Sequence, residues 1–271
     1  MNLMGEWMSE QLGLTVLAII FGLIWGSFLN VCIYRIPRGE SVVIPRSRCL
    51  GCQRQVRFYE NIPVLSYIIL GRKCAGCGVK ISMQYPLVEL LTAFLSYATF
   101  AKFGSGWPYP LYFFLLVTPI IVITFIDLEH QIIPDIISLP GIGAGILTSL
   151  ILNKPLYVWA LKQSLLGILV GGGILFVIAF LYEKIRKEEG LGGGDIKLAA
   201  MFGAFLGWKA VLMILLFASC LGSLIGVSYI LISRQGMKVA IPFGPFLAGG
   251  AMIYLFYGPQ ILGWYLHRLG L

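Results

Sequence analysis

The stretch LGLTVLAIIFGLIWGSFLNVCI, Leu12 to Ile33, holds 22 residues without a single charge. A bilayer core takes roughly 20 apolar residues per helix, so this run is long enough to cross one. Further apolar runs lie at about 84–103, 108–126, 136–153, 162–182, 196–207, 208–233 and 246–265. With the first they make eight candidate helices, of which 196–207 is short for a span. Composition agrees: 58% of the 271 residues are hydrophobic and 12% are charged, about half the charged share of a soluble domain. The expected fold is an all-α polytopic membrane protein of about eight transmembrane helices with one small polar insert. Glu6 and Glu10 precede the first run, so the basic start of a cleavable signal peptide is missing. It is read as a retained first transmembrane helix.

Charge orients the helices. The net charge of +8 raises the question of nucleic acid, but nine of the 20 Lys and Arg fall between Arg35 and Lys80, directly after the first helix. That clustering is the positive-inside signature of a cytoplasmic segment, and no nucleic-acid partner is expected. Threading eight spans puts 34–83, 127–135, 183–195 and 234–245 on one side. Fifteen Lys and Arg, counting Lys197, then lie on that side. Both chain ends are expected on the other. Three parts follow: a first helix over 1–33, a cytoplasmic insert over 34–83, and a membrane-embedded core over 84–271. Gly171-Gly172-Gly173 inside a helix is expected to allow close helix packing.

Within the insert, Cys49-Leu-Gly-Cys52 and Cys74-Ala-Gly-Cys77 form two C-x-x-C pairs separated by 21 residues. Four thiolates on tight turns can surround zinc tetrahedrally, and a four-sulfur shell leaves no open position for water, so the metal is expected to be structural. Gly51 and Gly76 suit such turns, since glycine tolerates a left-handed backbone. Disulfides are the alternative, disfavoured in a reducing compartment. Cys32 and Cys220, in apolar runs, read as ordinary buried residues.

Carboxylates at membrane depth are expensive and point to function. Asp127 follows the third run, at its cytoplasmic end, and Asp195 follows Gly192-Gly193-Gly194 at the start of the sixth. The threading puts both at the same membrane face. Like charges a few ångströms apart do not ionise together easily, so such a pair shares a proton. One carboxylate then takes a proton from water and the other donates to the developing oxyanion and leaving group. The glycines beside Asp195 let a substrate strand approach the backbone. Asp195 as a helix cap and Asp127 as a solvated interfacial acid are the plainer alternatives. Asp135, after Pro134, reads as an N-cap, and Glu89 as a buried functional carboxylate or one in a polar pocket. A transporter or proton relay, and a scaffold built around the cysteine module, remain as other classes.

Several stretches together resemble the type IV prepilin peptidases, within the GxGD aspartyl proteases. They are Gly26-Ser-Phe-Leu-Asn-Val31, Cys49 to Cys52, Glu60-Asn-Ile-Pro63, Cys74 to Cys77 and Tyr85-Pro-Leu-Val-Glu89. Phe125-Ile-Asp127, Ile133-Pro-Asp135, Gly192-Gly-Gly-Asp195-Ile-Lys197 and Ile241-Pro-Phe-Gly-Pro245 complete them, in this order over almost the whole chain. The resemblance implies cleavage of the leader peptide of prepilins or type II secretion pseudopilins at the cytoplasmic face of the inner membrane. It implies Asp127 and Asp195 as the catalytic pair. It further implies methylation of the new amino terminus with S-adenosylmethionine. Glu60 and Asn61 are candidates for that second activity only by their place in a family stretch.

Overall fold

The computed structural model describes residues 3–187, 190–233 and 242–268. Ile241, and parts of the polar segments 183–195 and 234–245, lie outside the described residues. The helices are α1 (Leu3–Arg35), α2 (Leu65–Ile69), α3 (Gln84–Phe103), α4 (Pro108–Tyr112), α5 (Thr118–His130), α6 (Asp135–Leu152), α7 (Tyr157–Arg186), α8 (Gly193–Leu206), α9 (Trp208–Ser233) and α10 (Gly244–Arg268). A π-helical turn over Phe113–Val117 joins α4 to α5. Among the described residues there is no sheet, only two isolated bridges in the insert. The chain divides into two compact units, residues 1–122 and 123–271.

In the first unit α1 and α3 run antiparallel at close range. A Cβ on Gly22 would stand 2.6 Å from the Ala93 Cα, and one on Gly26 would stand 2.7 Å from the Glu89 Cα. These glycines, four apart on one helix face, let the two backbones meet. Polar side chains close the seam at both ends. Ser96 donates to the Ala18 carbonyl at 2.7 Å and Asn30 to the Tyr85 carbonyl at 3.0 Å.

In the second unit the organising element is α8. Residues Leu198–Phe205 are buried on every side. A helix apolar all round has to be enclosed, and its neighbours supply small residues at four-residue spacing. Gly167 of α7 lies against Gly203 of α8 so closely that a Cβ on either would come within 2.1 Å of the other's carbonyl oxygen. Gly171 abuts Ala199, while Gly141 and Gly145 of α6 abut Met201 and Ala204. Of the three consecutive glycines, Gly171 makes the close approach, Gly172 makes ordinary contact with Ala200, and Gly173 faces open space.

All eight apolar runs are helical. Six helical segments among the described residues have the length and apolarity to cross a membrane. The chain is thus a multi-pass membrane protein, and the count of eight spans is not reached. α8, with 14 residues, spans about 21 Å at the α-helical rise, short of a core of roughly 30 Å. α3 has 20 residues, but Glu89, Thr92, Ser96 and Thr99 on its buried face lower its apolarity.

Candidate active site and metal centre

The insert holds two knuckles of the same local design. In each, the amide of the first cysteine donates to the carbonyl five residues on: Cys49 to Arg54 and Cys74 to Val79, both at 2.9 Å. In each, the carbonyl of the first cysteine accepts from the residue four on, Gln53 or Gly78, again at 2.9 Å. The left-handed backbone falls on these residues, with φ of 57° at Gln53 and 71° at Gly78. It does not fall on Gly51 and Gly76, against expectation. Those two glycines serve close packing instead: a Cβ on Gly51 would meet Val79 at 2.9 Å, and one on Gly76 would meet Arg54 at 2.8 Å. Each knuckle thus packs its glycine against the other's fifth residue, an approximate twofold arrangement.

The four sulfurs of Cys49, Cys52, Cys74 and Cys77 lie within 4.8 Å of one another. The Cys49 and Cys77 sulfurs are 3.7 Å apart. Tetrahedral zinc with Zn–S bonds of about 2.3 Å requires sulfur pairs about 3.8 Å apart, so the donor set and its spacing fit zinc. The amides of Cys77 and Gly76 donate to the Cys74 sulfur and hold its thiol down to about 6, which favours the ligating thiolate. Of the remaining cysteines, Cys32 is buried as expected, but Cys220 is exposed. An apolar residue on a span need not face protein, because lipid is an equally good neighbour.

Glu60 does not stand free. Arg54 donates to both of its carboxylate oxygens at 2.9 Å, and the Arg57 amide donates to one at 3.0 Å. Those donors, the Arg57 amide foremost, hold its carboxyl below the ordinary range. Asn61 is exposed. Glu89 is buried, and its carboxylate accepts from the Val64 amide at 2.8 Å.

In the second unit α5 continues to His130, so Asp127 sits inside its last turn rather than after it. Asp195 sits inside the first turn of α8, whose cap position is Gly192, and makes no capping bond. Both carboxylates are buried. Asp195 Oδ1 is enclosed with no hydrogen-bond partner among the described residues. Asp127 Oδ2 accepts from the Gly244 amide at 3.0 Å, at the start of α10. Ile133 lies between: its side chain is 2.8 Å from where a Gly194 Cβ would stand and 3.3 Å from that of Gly244. In the sequence Gly244 and Ile133 are only members of longer stretches, Ile241–Pro245 and Ile133–Asp135. The signal available was a glycine between Phe243 and Pro245, with nothing to say that it faces Asp127. Asp135 is the first residue of α6 and caps nothing. Both its oxygens accept from Lys197 at 2.7 Å, on exposed side chains.

Two family models match in series. The Bacterial Peptidase A24 N-terminal domain covers residues 20–103, and the Type IV leader peptidase family covers 113–227. The chain is 36% identical over 274 residues to a prepilin leader peptidase/N-methyltransferase of Aeromonas hydrophila, covering 92% of this chain and 93% of that one.

The chain belongs to the type IV leader peptidase family.

A prepilin leader peptidase/N-methyltransferase of Pseudomonas aeruginosa is 34% identical, with 97% of each chain covered. One of Myxococcus xanthus is 44% identical over 217 residues, 80% of this chain; the chain spans 63% of that protein's length. No solved structure matches the chain. The boundary between the two family models falls within 104–112, in the segment leading to α5.

Proposed function

We propose that this chain cleaves the leader peptide of type IV prepilins or type II secretion pseudopilins, and methylates the new amino terminus with S-adenosylmethionine. Cleavage takes place at the cytoplasmic face of the bacterial inner membrane, with Asp127 and Asp195 as the catalytic pair. The observation carrying the reading is that two buried carboxylates, one on α5 and one on α8, come together around Ile133, which abuts both Gly194, next to Asp195, and Gly244, whose amide holds Asp127, with Asp195 Oδ1 unpartnered among the described residues.

A pair that shares one proton can act as base toward water and as acid toward the leaving amine in one step. The Gly244 amide fixes the Asp127 carboxyl, and a fixed carboxyl costs no reorganisation when water is attacked. Gly193, where a Cβ would meet nothing within 4 Å, and Gly192 beside Asp195 leave room for an extended peptide. The basic segment 34–83 supports a cytoplasmic setting. We assign 34–83 as the zinc domain, 1–33 as the helix that tethers it and 84–271 as the protease core. Zinc, bound by the four cysteines, ties the two knuckles together and takes no part in hydrolysis.

The test is a cell-free reaction of purified enzyme, a prepilin and a labelled methyl donor, read for cleavage and methyl transfer. Asp127→Asn or Asp195→Asn is expected to abolish cleavage while a pre-cleaved peptide is still methylated. Cleavage retained in either variant would remove the two-aspartate mechanism.

A further inference from the structure

In the first unit a cavity of about 510 Å³ opens between the cysteine module and the ends of α1 and α3. That is the size of a site for a compact organic ligand. Two charged side chains on its wall are buried: Arg35, 8% exposed, and Glu89, 6% exposed. Neither is in an ion pair among the described residues. Arg35 donates to the Ser41 and Pro45 carbonyls at 2.8 and 2.7 Å. That leaves further N–H donors of its five-donor fork. Glu89 takes the Val64 amide and a hydrogen bond from the Ser27 side chain, both neutral partners. The other central carboxylate of the cavity, Glu60, is already bound on both oxygens by Arg54.

A buried charge without an opposite partner is costly. Here one of each sign is held on the same cavity and not paired with the other. A ligand carrying both signs relieves the two together. Tyr67 and Tyr85 add ring surface, while Tyr34 already carries the Arg38 guanidinium over its ring and the Asn30 amide already donates to the Gly26 and Tyr85 carbonyls; aromatic rings take flat heterocycles and favour cations over their faces.

We infer that this cavity is the methyl-donor site, with Arg35 receiving the carboxylate of S-adenosylmethionine and Glu89 facing its cationic groups. The assignment rests on the methyltransferase reading above and names its residues. A carboxylate on guanidinium is a bidentate match, and the rings accommodate the adenine.

The experiment is equilibrium binding of labelled S-adenosylmethionine to the full-length protein in detergent, without prepilin. Zinc content and melting temperature report folding. Glu89→Gln keeps the shape and an oxygen to accept the Val64 amide but removes the charge, and binding is expected to weaken about 10- to 100-fold. Arg35→Lys keeps a charge but loses the fork, and a similar direction is expected. Should Arg35→Lys lose its zinc, Glu89→Gln decides alone. S-adenosylhomocysteine lacks the sulfonium charge and separates two sources of attraction. If Glu89 faces the sulfonium, Glu89→Gln weakens only the methyl donor; if it faces the ammonium, both ligands weaken alike. Wild-type binding in folded Glu89→Gln overturns the assignment and leaves the methyltransferase reading intact. A raised KM for prepilin with unchanged donor binding also overturns it, making the cavity a leader-peptide site. Failure of the wild-type protein to bind or use the donor removes both.

Discussion

Gly244→Ala adds one methyl group beside the proposed catalytic pair, and its effect can be worked out from the geometry. The new Cβ would stand 2.5 Å from Asp127 Oδ2 and 3.2 Å from its carboxyl carbon, where ordinary contact begins at 3.4 Å. Asp127 or the start of α10 must therefore retreat by about 0.9 Å, the gap between 2.5 and 3.4 Å, and Ile133, 3.3 Å away, closes one direction. The φ of Gly244 is not in the left-handed region, so the substitution acts by bulk and not through backbone strain. Misplacing a catalytic group by about 1 Å costs on the order of 10²-fold in rate, about 2.7 kcal/mol of transition-state stabilisation. The same retreat stretches the 3.0 Å bond from the Gly244 amide. The assay is kcat/KM for leader cleavage in detergent, alongside zinc content. Gly249→Ala on the same helix is the matched control, because a Cβ there meets nothing within 4 Å. A Gly244→Ala enzyme cleaving at the wild-type rate would show that Asp127's position is not what this amide secures.

Other outcomes follow from the same contacts. Replacing Cys49 and Cys52 with Ser should remove about one zinc per chain, measured by metal analysis; no zinc in the wild-type protein would refute the metal centre. Gly203→Ala drives a methyl group into the Gly167 carbonyl at 2.1 Å, and should destabilise by about 2 kcal/mol or more, seen as a lower melting temperature in detergent. Gly173→Ala in the same bundle should leave that temperature nearly unchanged, since its Cβ faces open space. Gly76→Ala should loosen the cysteine module by pressing on Arg54, read as faster zinc loss to a chelator. Lys197→Met breaks an exposed pair with Asp135, worth at most about 1 kcal/mol, and a small change in melting temperature is expected.

The sequence by itself determined the class of protein, because uncharged runs of bilayer length are a property of composition and order alone. It marked out a candidate metal module too: each C-x-x-C pair carries its two sulfurs on one local turn, and only the meeting of the two turns is left to packing. It singled out Asp127 and Asp195 because charge at membrane depth is legible in one dimension. What meets across the fold was left to tertiary structure. Gly244 faces Asp127 over a separation of 117 residues, and nothing local marks a glycine as another residue's neighbour. The same holds for Gly51 and Gly76, whose missing side chains serve the opposite knuckle, and for Cys220, whose face of α9 turns away from protein. The short enclosed α8 looked like a poor span in sequence; only its glycine-lined neighbours make it the central helix of its unit. Arg35 read as one more cytoplasmic cation and is instead buried with its carbonyl partners on a cavity wall. A side chain's type is written in the chain, but its solvent is chosen by packing.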